Sequence, residues 1–225
     1  ADELEAWMSG AALSFQYRRP AVHWFHLGAD LEHSAPSTGW PEAYAKVTEA
    51  MNARPTFLMV GTLEPRKGHA QALTAFEASW AAGQALNLVI VGKSGWLVDD
   101  LIERIRSHPE SGGRLFWLSN ASDECLEDLY GRATCLLAAS EAEGFGLPLI
   151  EAARRGLPVL ARDLPVFREV AGGAAYYFAD TSDAGLSGSI AHWLALCKEG
   201  KAPTPDGLAW LTWQQSASQL AAILP

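Results

Sequence analysis

Glu143 and Glu151 flank the seven residues Gly144-Phe145-Gly146-Leu147-Pro148-Leu149-Ile150. Carboxylates at such a spacing can accept hydrogen bonds from the hydroxyls of one ligand. The residues between them suggest what else that ligand carries. Gly144 and Gly146 allow positive φ or a close approach of the backbone. Pro148 suits the first position of a helix, where its fixed φ helps and its missing N–H costs nothing. The backbone N–H groups from Phe145 through Gly146 and Leu147 would then face outward at a helix N-terminus, which favours anions. Acceptors beside an anion site suit sugar hydroxyls next to a phosphate. A second group stands in Gly61-Thr62-Leu63-Glu64-Pro65-Arg66-Lys67-Gly68-His69. Arg66 can hold phosphate oxygens in a fork and Lys67 can act as a point charge, so the pair suits a diphosphate. The segment is not a P-loop, because G-x-x-x-x-G-K-[ST] is absent. Taken singly, each group also reads as ordinary exposed charge beside a turn.

Both groups follow apolar runs that read as buried strands. Phe57 to Val60 precedes Gly61, and Leu136 to Ala139 precedes the glutamate pair. The rhythm continues along the chain. Helices are expected at Tyr44–Met51, His69–Ala81, Leu97–Ser107, Asp123–Arg132, Leu149–Arg155 and Ser182–Lys198. Strands are expected at Leu86–Val91, Arg114–Leu118, Thr134–Ala138, Pro158–Ala161 and Ala174–Phe178. Near-continuous apolar strands alternating with amphipathic helices predict βαβ units and a doubly wound, Rossmann-like parallel sheet. Ligands of such sheets bind at the carboxyl ends of the strands, where the strand order reverses. Both groups lie after strands, as do Lys93 and Asn120 in Gly92-Lys93-Ser94-Gly95-Trp96 and Ser119-Asn120-Ala121-Ser122.

At 225 residues, 49% of them apolar, the chain can fill the core of one large domain, or of one domain with pieces of another. A net charge of −9 argues against nucleic acid as a partner. Cys125, Cys135 and Cys197 have no metal-ligand spacing, and an odd, sparse count suits a reducing cytoplasm. No apolar run approaches the roughly 18 residues of a membrane span, and no start of signal-peptide type is present. No D-x-D occurs to hold a metal-bound diphosphate, and Asp99-Asp100 reads as the start of a helix. Upstream, Ala1 to Ser9 has helical periodicity, Arg18-Arg19-Pro20 breaks it, Ala21 to Leu27 is a β-prone run, and Leu31 to Gly39 reads as a linker.

The glutamate pair around G-F-G-L-P resembles the E-x7-E motif of retaining glycosyltransferases of the GT-B fold, glycosyltransferase family 4. In its G-T-L-E-P-R-K form the basic segment resembles the donor-phosphate segment of bacterial mannosyltransferases of surface-polysaccharide synthesis. Leu211-Thr212-Trp213-Gln214-Gln215-Ser216-Ala217 is similar to the family's closing W-x-x-S-A helix. The resemblance covers nearly the whole chain, and it implies a metal-independent transfer of mannose from GDP-mannose with retention. It implies that Glu143 faces the donor sugar and that Glu151 holds the ribose. Lys67 and Arg66 would meet the diphosphate, while Gly61, Thr62, Phe145, Gly146 and Leu147 would line the donor site, and Lys93 and Asn120 would lie near the base. Many relatives carry Arg where this chain has Thr62, a role then expected of Arg66. No cofactor is implied beyond the donor substrate. Residues 1–53 would be the end of an N-terminal domain and a linker, and 54–225 the donor domain with a C-terminal crossover helix. The acceptor, a growing surface polysaccharide or lipid-linked glycan, would bind a domain that this chain lacks. The full enzyme would be cytoplasmic and peripheral on the inner membrane. A UDP-sugar donor, or a fragment that binds nucleotide sugar without turnover, stays open. A nucleotide-dependent oxidoreductase does not, because G-x-G-x-x-G is absent after the first strand.

Overall fold

The computed structural model describes residues 2–10, 21–29, 36–180 and 182–224. They fall into two compact units. The larger is Ser34–Ala209, and the smaller combines Ala1–His33 with Trp210–Pro225.

The larger unit is one six-stranded sheet in which every pairing is parallel. Its strands are β1 (Thr56–Val60), β2 (Asn87–Val91), β3 (Leu115–Leu118), β4 (Cys135–Ala138), β5 (Val159–Arg162) and β6 (Tyr176–Phe178). The order is β3-β2-β1-β4-β5-β6, the doubly wound order, so the chain reverses direction between β1 and β4. The helices of this unit are α2 (Tyr44–Ala53), α3 (His69–Ala81), α4 (Asp99–Ser107), α5 (Asp123–Arg132), α6 (Leu147–Ala153), α7 (Pro165–Ala171) and α8 (Asp183–Lys198). The smaller unit holds α1 (Asp2–Gly10) and α9 (Trp213–Ile223).

The strands are apolar on both faces because both are covered. Phe57, Met59, Leu88, Ile90 and Leu137 pack with α3 and α8, while the alternating Leu58, Val89 and Leu136 point the other way and are equally buried. Phe57 meets Phe76 of α3 and Trp193 of α8 edge-on, each with ring centroids 5.5 Å apart. Truncating such a ring to alanine costs about 3–5 kcal/mol. Among the described residues three helices start with side-chain caps. Ser122 Oγ accepts from the Cys125 N–H at α5, Ser182 Oγ accepts from the Gly185 N–H at α8, and Thr212 forms a capping box with Gln215 at α9.

The structure departs from the sequence reading in four places. Ala21 to Leu27 forms no strand. Among the described residues it has no β-partner, the nearest bridge joining the following Gly28 to Leu211, and an apolar run needs a ladder partner to become a strand. Leu97 adopts φ +52 instead of starting a helix, which begins at Asp99. The helix after the glutamate turn spans Leu147–Ala153, so Pro148 sits one position inside its start. The short α7 was not expected; Pro165 starts it, with two residues between it and the end of β5. Arg18-Arg19-Pro20 and positions 31–35 of the expected linker lie outside the described residues. The rest of that linker is bound to α5: Ser37 N–H and Oγ donate to Asp123, and Gly39 N–H donates to Glu124. Among the described residues, no helix is long and apolar enough to cross a membrane.

Candidate functional site

The loops after β1 and β4 meet at the point of reversal. After β1 the backbone passes through Gly61, at φ +137, and runs beside the loop after β2: Leu63 N–H donates to Lys93 O and Gly95 N–H donates to Leu63 O, both at 2.9 Å. Pro65–Lys67 then makes one 3-10 turn, and Gly68 at φ +71 leads into α3. That glycine is required by space as well as by conformation, since a Cβ there would lie 2.1 Å from Ala139 O at the end of β4. A second tie joins the loops, from Glu141 N–H to Arg66 O at 2.7 Å.

Between these ties Glu143 meets the two cations. Lys67 Nζ donates to Glu143 Oε1 at 2.5 Å and Arg66 Nη1 donates to Glu143 Oε2 at 2.6 Å. The Glu143 side chain is only 9% exposed and Lys67 14%, so solvent screens this pair weakly; Arg66 is 42% exposed and also pairs with Glu64. Arg66 Nη1 donates further to Ala142 O. The cluster therefore joins, through residues 76 positions apart in the chain, the basic segment and the first acid of the pair.

The second acid is held differently. Tyr130 of α5 is buried and donates its phenol to Glu151 Oε2 at 2.6 Å. Burial, and then the carboxylate beside it, push the phenol pKa well above its ordinary value, so the tyrosine stays a donor. Arg155 lies over the Tyr130 ring, donates to Glu151 O and pairs with Glu127.

A pocket of about 20 Å³ lies under the cluster, lined by Lys67, His69, Ser140, Glu143, Gly146 and Phe167 among others. It has room for about one water. Gly146 takes φ +95, and a Cβ there would stand 3.0 Å from the Phe167 ring. His69 is 3% exposed, and its Nδ1 is buried without a hydrogen bond. Burial, and secondarily the charge of Lys67, lower its pKa to about 4, so the imidazole is neutral at physiological pH.

The structure thus brings Gly61, Arg66, Lys67, Glu143 and Gly146 together, with Glu151 one turn into α6. Thr62 is exposed on the β1 loop, and Phe145 and Leu147 flank Gly146, partly buried. Lys93 and Asn120 are exposed at the ends of β2 and β3, on the same sheet edge but on its outer half. Sequence reasoning missed Tyr130, His69 as a buried neutral base, and Arg162, which donates to the carbonyls ending β4. Only Arg162 had a signal, its place at the carboxyl end of a strand. Cys135 is wholly buried in β4.

Residues 42–202 match the family model described as glycosyl transferases group 1. The chain belongs to that family. It is 48% identical over its whole length to the serotype-specific mannosyltransferase WbdA of Escherichia coli, of which it spans 28%. Among solved structures, sucrose-phosphate synthase from Thermosynechococcus elongatus superposes with a TM-score of 0.71 at 22% identity, covering 99% of this chain and 56% of that one. Anabaena HepE, solved with UDP and glucose, gives a TM-score of 0.64 at 18% identity over 82% of this chain and 53% of that one. At these identities the likeness is one of fold: the group 1 glycosyltransferase chain has the Rossmann-like architecture of the C-terminal half of a GT-B enzyme.

Proposed function

We propose that this chain is the donor-binding part of a mannosyltransferase that moves mannose from GDP-mannose to a growing surface polysaccharide or lipid-linked glycan. The observation that carries this reading is the 48% identity to a serotype-specific mannosyltransferase across the entire chain. The chain spans little more than a quarter of that relative, so the acceptor would be held by parts of the protein outside this chain.

In the proposed reaction the bond from the sugar C1 to the β-phosphate oxygen breaks. A bond from C1 to an acceptor hydroxyl oxygen forms, and the hydroxyl proton is released. Negative charge grows on the departing diphosphate. Lys67 and Arg66 would meet that charge in a site shielded from water, where such stabilisation is worth a few kcal/mol. Binding would be an exchange of partners: the diphosphate takes the two cations from Glu143, and the freed carboxylate accepts from sugar hydroxyls. Glu151, fixed by Tyr130, would accept from the ribose. Retention and metal independence belong to the same proposal. They require an α-linked product from the α-linked donor and a rate unchanged by a chelator.

The test is calorimetric titration of the protein with GDP, UDP, GDP-mannose and UDP-glucose, repeated on Lys67→Ala and Glu151→Ala. Preference for the guanine nucleotides, weakened about tenfold or more in Lys67→Ala by loss of one charge-assisted contact, is the expected outcome. Preference for uridine nucleotides would discard the GDP-mannose assignment while keeping the site. Equal binding by wild type and both variants would overturn the site itself.

A further inference from the structure

The strand end that carries Glu143 is held by a residue from a different strand. Arg162 closes β5 and is 5% exposed. Its Nε donates to Ala139 O at 3.1 Å and to Ser140 O at 2.9 Å, and its Nη2 donates to Ala139 O at 2.9 Å. Nη2 also donates to Gln71 Oε1 in the first turn of α3, and the guanidinium lies 5.3 Å from the Phe178 ring centroid. These acceptors are carbonyl and amide oxygens, not a carboxylate. Burial lowers the arginine's pKa, and Glu141 acts on it only through space. A buried cation without a paired anion is costly, and an apolar side chain would fill the same place at less cost. The arrangement needs a reason other than packing.

The reason lies in what the two carbonyls do next. A parallel strand leaves its last carbonyls without ladder partners, and buried carbonyls must be paired. Ser140 is three residues before Glu143. The same Ala139 carbonyl also faces Gly68, which follows Lys67 directly, and the next amide, Glu141 N–H, donates to Arg66 O. The turn after β4 is therefore fixed by Arg162 on one side and by the basic loop on the other.

We propose that Arg162 is a positioning residue for the reaction: it fixes the Ala139–Ser140 carbonyls and so sets the register in which Glu143 meets Lys67 and Arg66. This rests on the donor-site reading for its consequence in catalysis, but not for the structural coupling. Arg162→Met keeps apolar bulk and loses every donor. Arg162→Lys keeps the charge but cannot reproduce the planar fork across two carbonyls.

The test uses the full-length enzyme, with two readouts on both variants. The first is amide hydrogen exchange. Protection at Glu141 is expected to fall at least about tenfold in Arg162→Met, an opening of this loop alone, while amides inside β1 and β4 keep theirs. The second is turnover of GDP-mannose, read as GDP release. The kcat is expected to fall about a hundredfold, the scale of a misplaced reacting group. KM should move less than about threefold, because the cations sit on the other loop. Arg162→Lys should fall between wild type and Arg162→Met in both readouts, and it decides alone if the methionine variant does not fold. Wild-type Glu141 protection with wild-type kcat would overturn the proposal, and so would a loss of protection spread evenly over the sheet. Failure of wild type to bind GDP would overturn the donor reading instead, and the exchange readout would still judge Arg162.

Discussion

The carboxyl edge of the sheet has two halves that carry similar residues in opposite states. At β1 and β4, Lys67 and Arg66 are linked to Glu143, with Lys67 and Glu143 shielded from solvent, and all three are mounted on loops tied together by backbone hydrogen bonds. At β2 and β3, Lys93 and Asn120 stand exposed, with Trp96 57% exposed beside them. The difference follows from the strand order. Two loops leave in opposite directions only at the reversal, and only there can side chains far apart in sequence close on each other. Position on the edge, more than residue type, separates groups whose geometry is set in advance from groups free to adapt to what arrives.

Removing the centre of the linked half should give the largest effect. Glu143→Gln keeps the shape and deletes the charge. Transfer in the full-length enzyme should fall about a thousandfold, the range seen when a single preorganised polar group is lost from a reacting centre. GDP should bind as well as to wild type, or more tightly, because Lys67 and Arg66 no longer share their charge with a carboxylate. A parallel loss of GDP affinity and turnover would mean that Glu143 builds the phosphate site, and the division of roles within the cluster would be wrong.

The linked half also carries a pH-dependent weakness. His69 has a folded pKa of about 4 against an ordinary 6.5. Between these values the unfolded chain binds a proton that the folded chain does not. Stability therefore rises with pH through this window, is complete above about 6.5, and is lost as pH falls towards 4. The loss approaches about 3 kcal/mol from this one group. Urea unfolding at pH 7 and pH 4.5 on wild type and His69→Leu isolates it: the variant should lack this part of the slope. Equal slopes would mean that the imidazole is hydrated and not enclosed beside Lys67.

Much of the linked half was legible beforehand, and the limits of that reading are physical. The bounds of α3 and α5 follow from apolar periodicity, with Gly68 and Ser122 at their starts. The rule that ligands meet strand ends put Lys67 and Glu143 on the same edge. No local pattern shows that these two side chains touch, because their contact depends on β1 and β4 being neighbours. Tyr130 was invisible for the same reason: its partner Glu151 is 21 residues away, on a helix across an intervening strand. Ala21 to Leu27 misled because an apolar run shows what can be buried, not whether a neighbouring strand exists. Leu97 misled because its left-handed backbone depends on the loop it ends, not on its own preference.

The contact between Tyr130 and Glu151 ranks next in expected effect. Tyr130→Phe removes a buried hydrogen bond to a carboxylate, at a cost of about 1.5–3 kcal/mol in stability. Glu151 then loses the group that aims it, and affinity for GDP should fall about fivefold, near 1 kcal/mol. Lower stability with unchanged affinity would leave Glu151 as part of the α5–α6 packing and out of the donor site.

The outer half should respond least, and this prediction bears hardest on the comparison. Lys93→Ala and Asn120→Ala each remove an exposed side chain. Surface changes of this kind usually fall within about 0.5 kcal/mol, so GDP affinity should change by less than about threefold and stability hardly at all. If the donor base does reach these loops, its contacts there form with groups that must first be ordered, which offsets part of what they gain. The informative experiment titrates both variants with GDP and with UDP. A small, equal effect on both nucleotides would leave base selectivity to the backbone of these loops. A large effect on one nucleotide alone would show that exposed side chains without preset partners can still dominate selection, and preorganisation would then mark the reacting centre but not the whole of recognition.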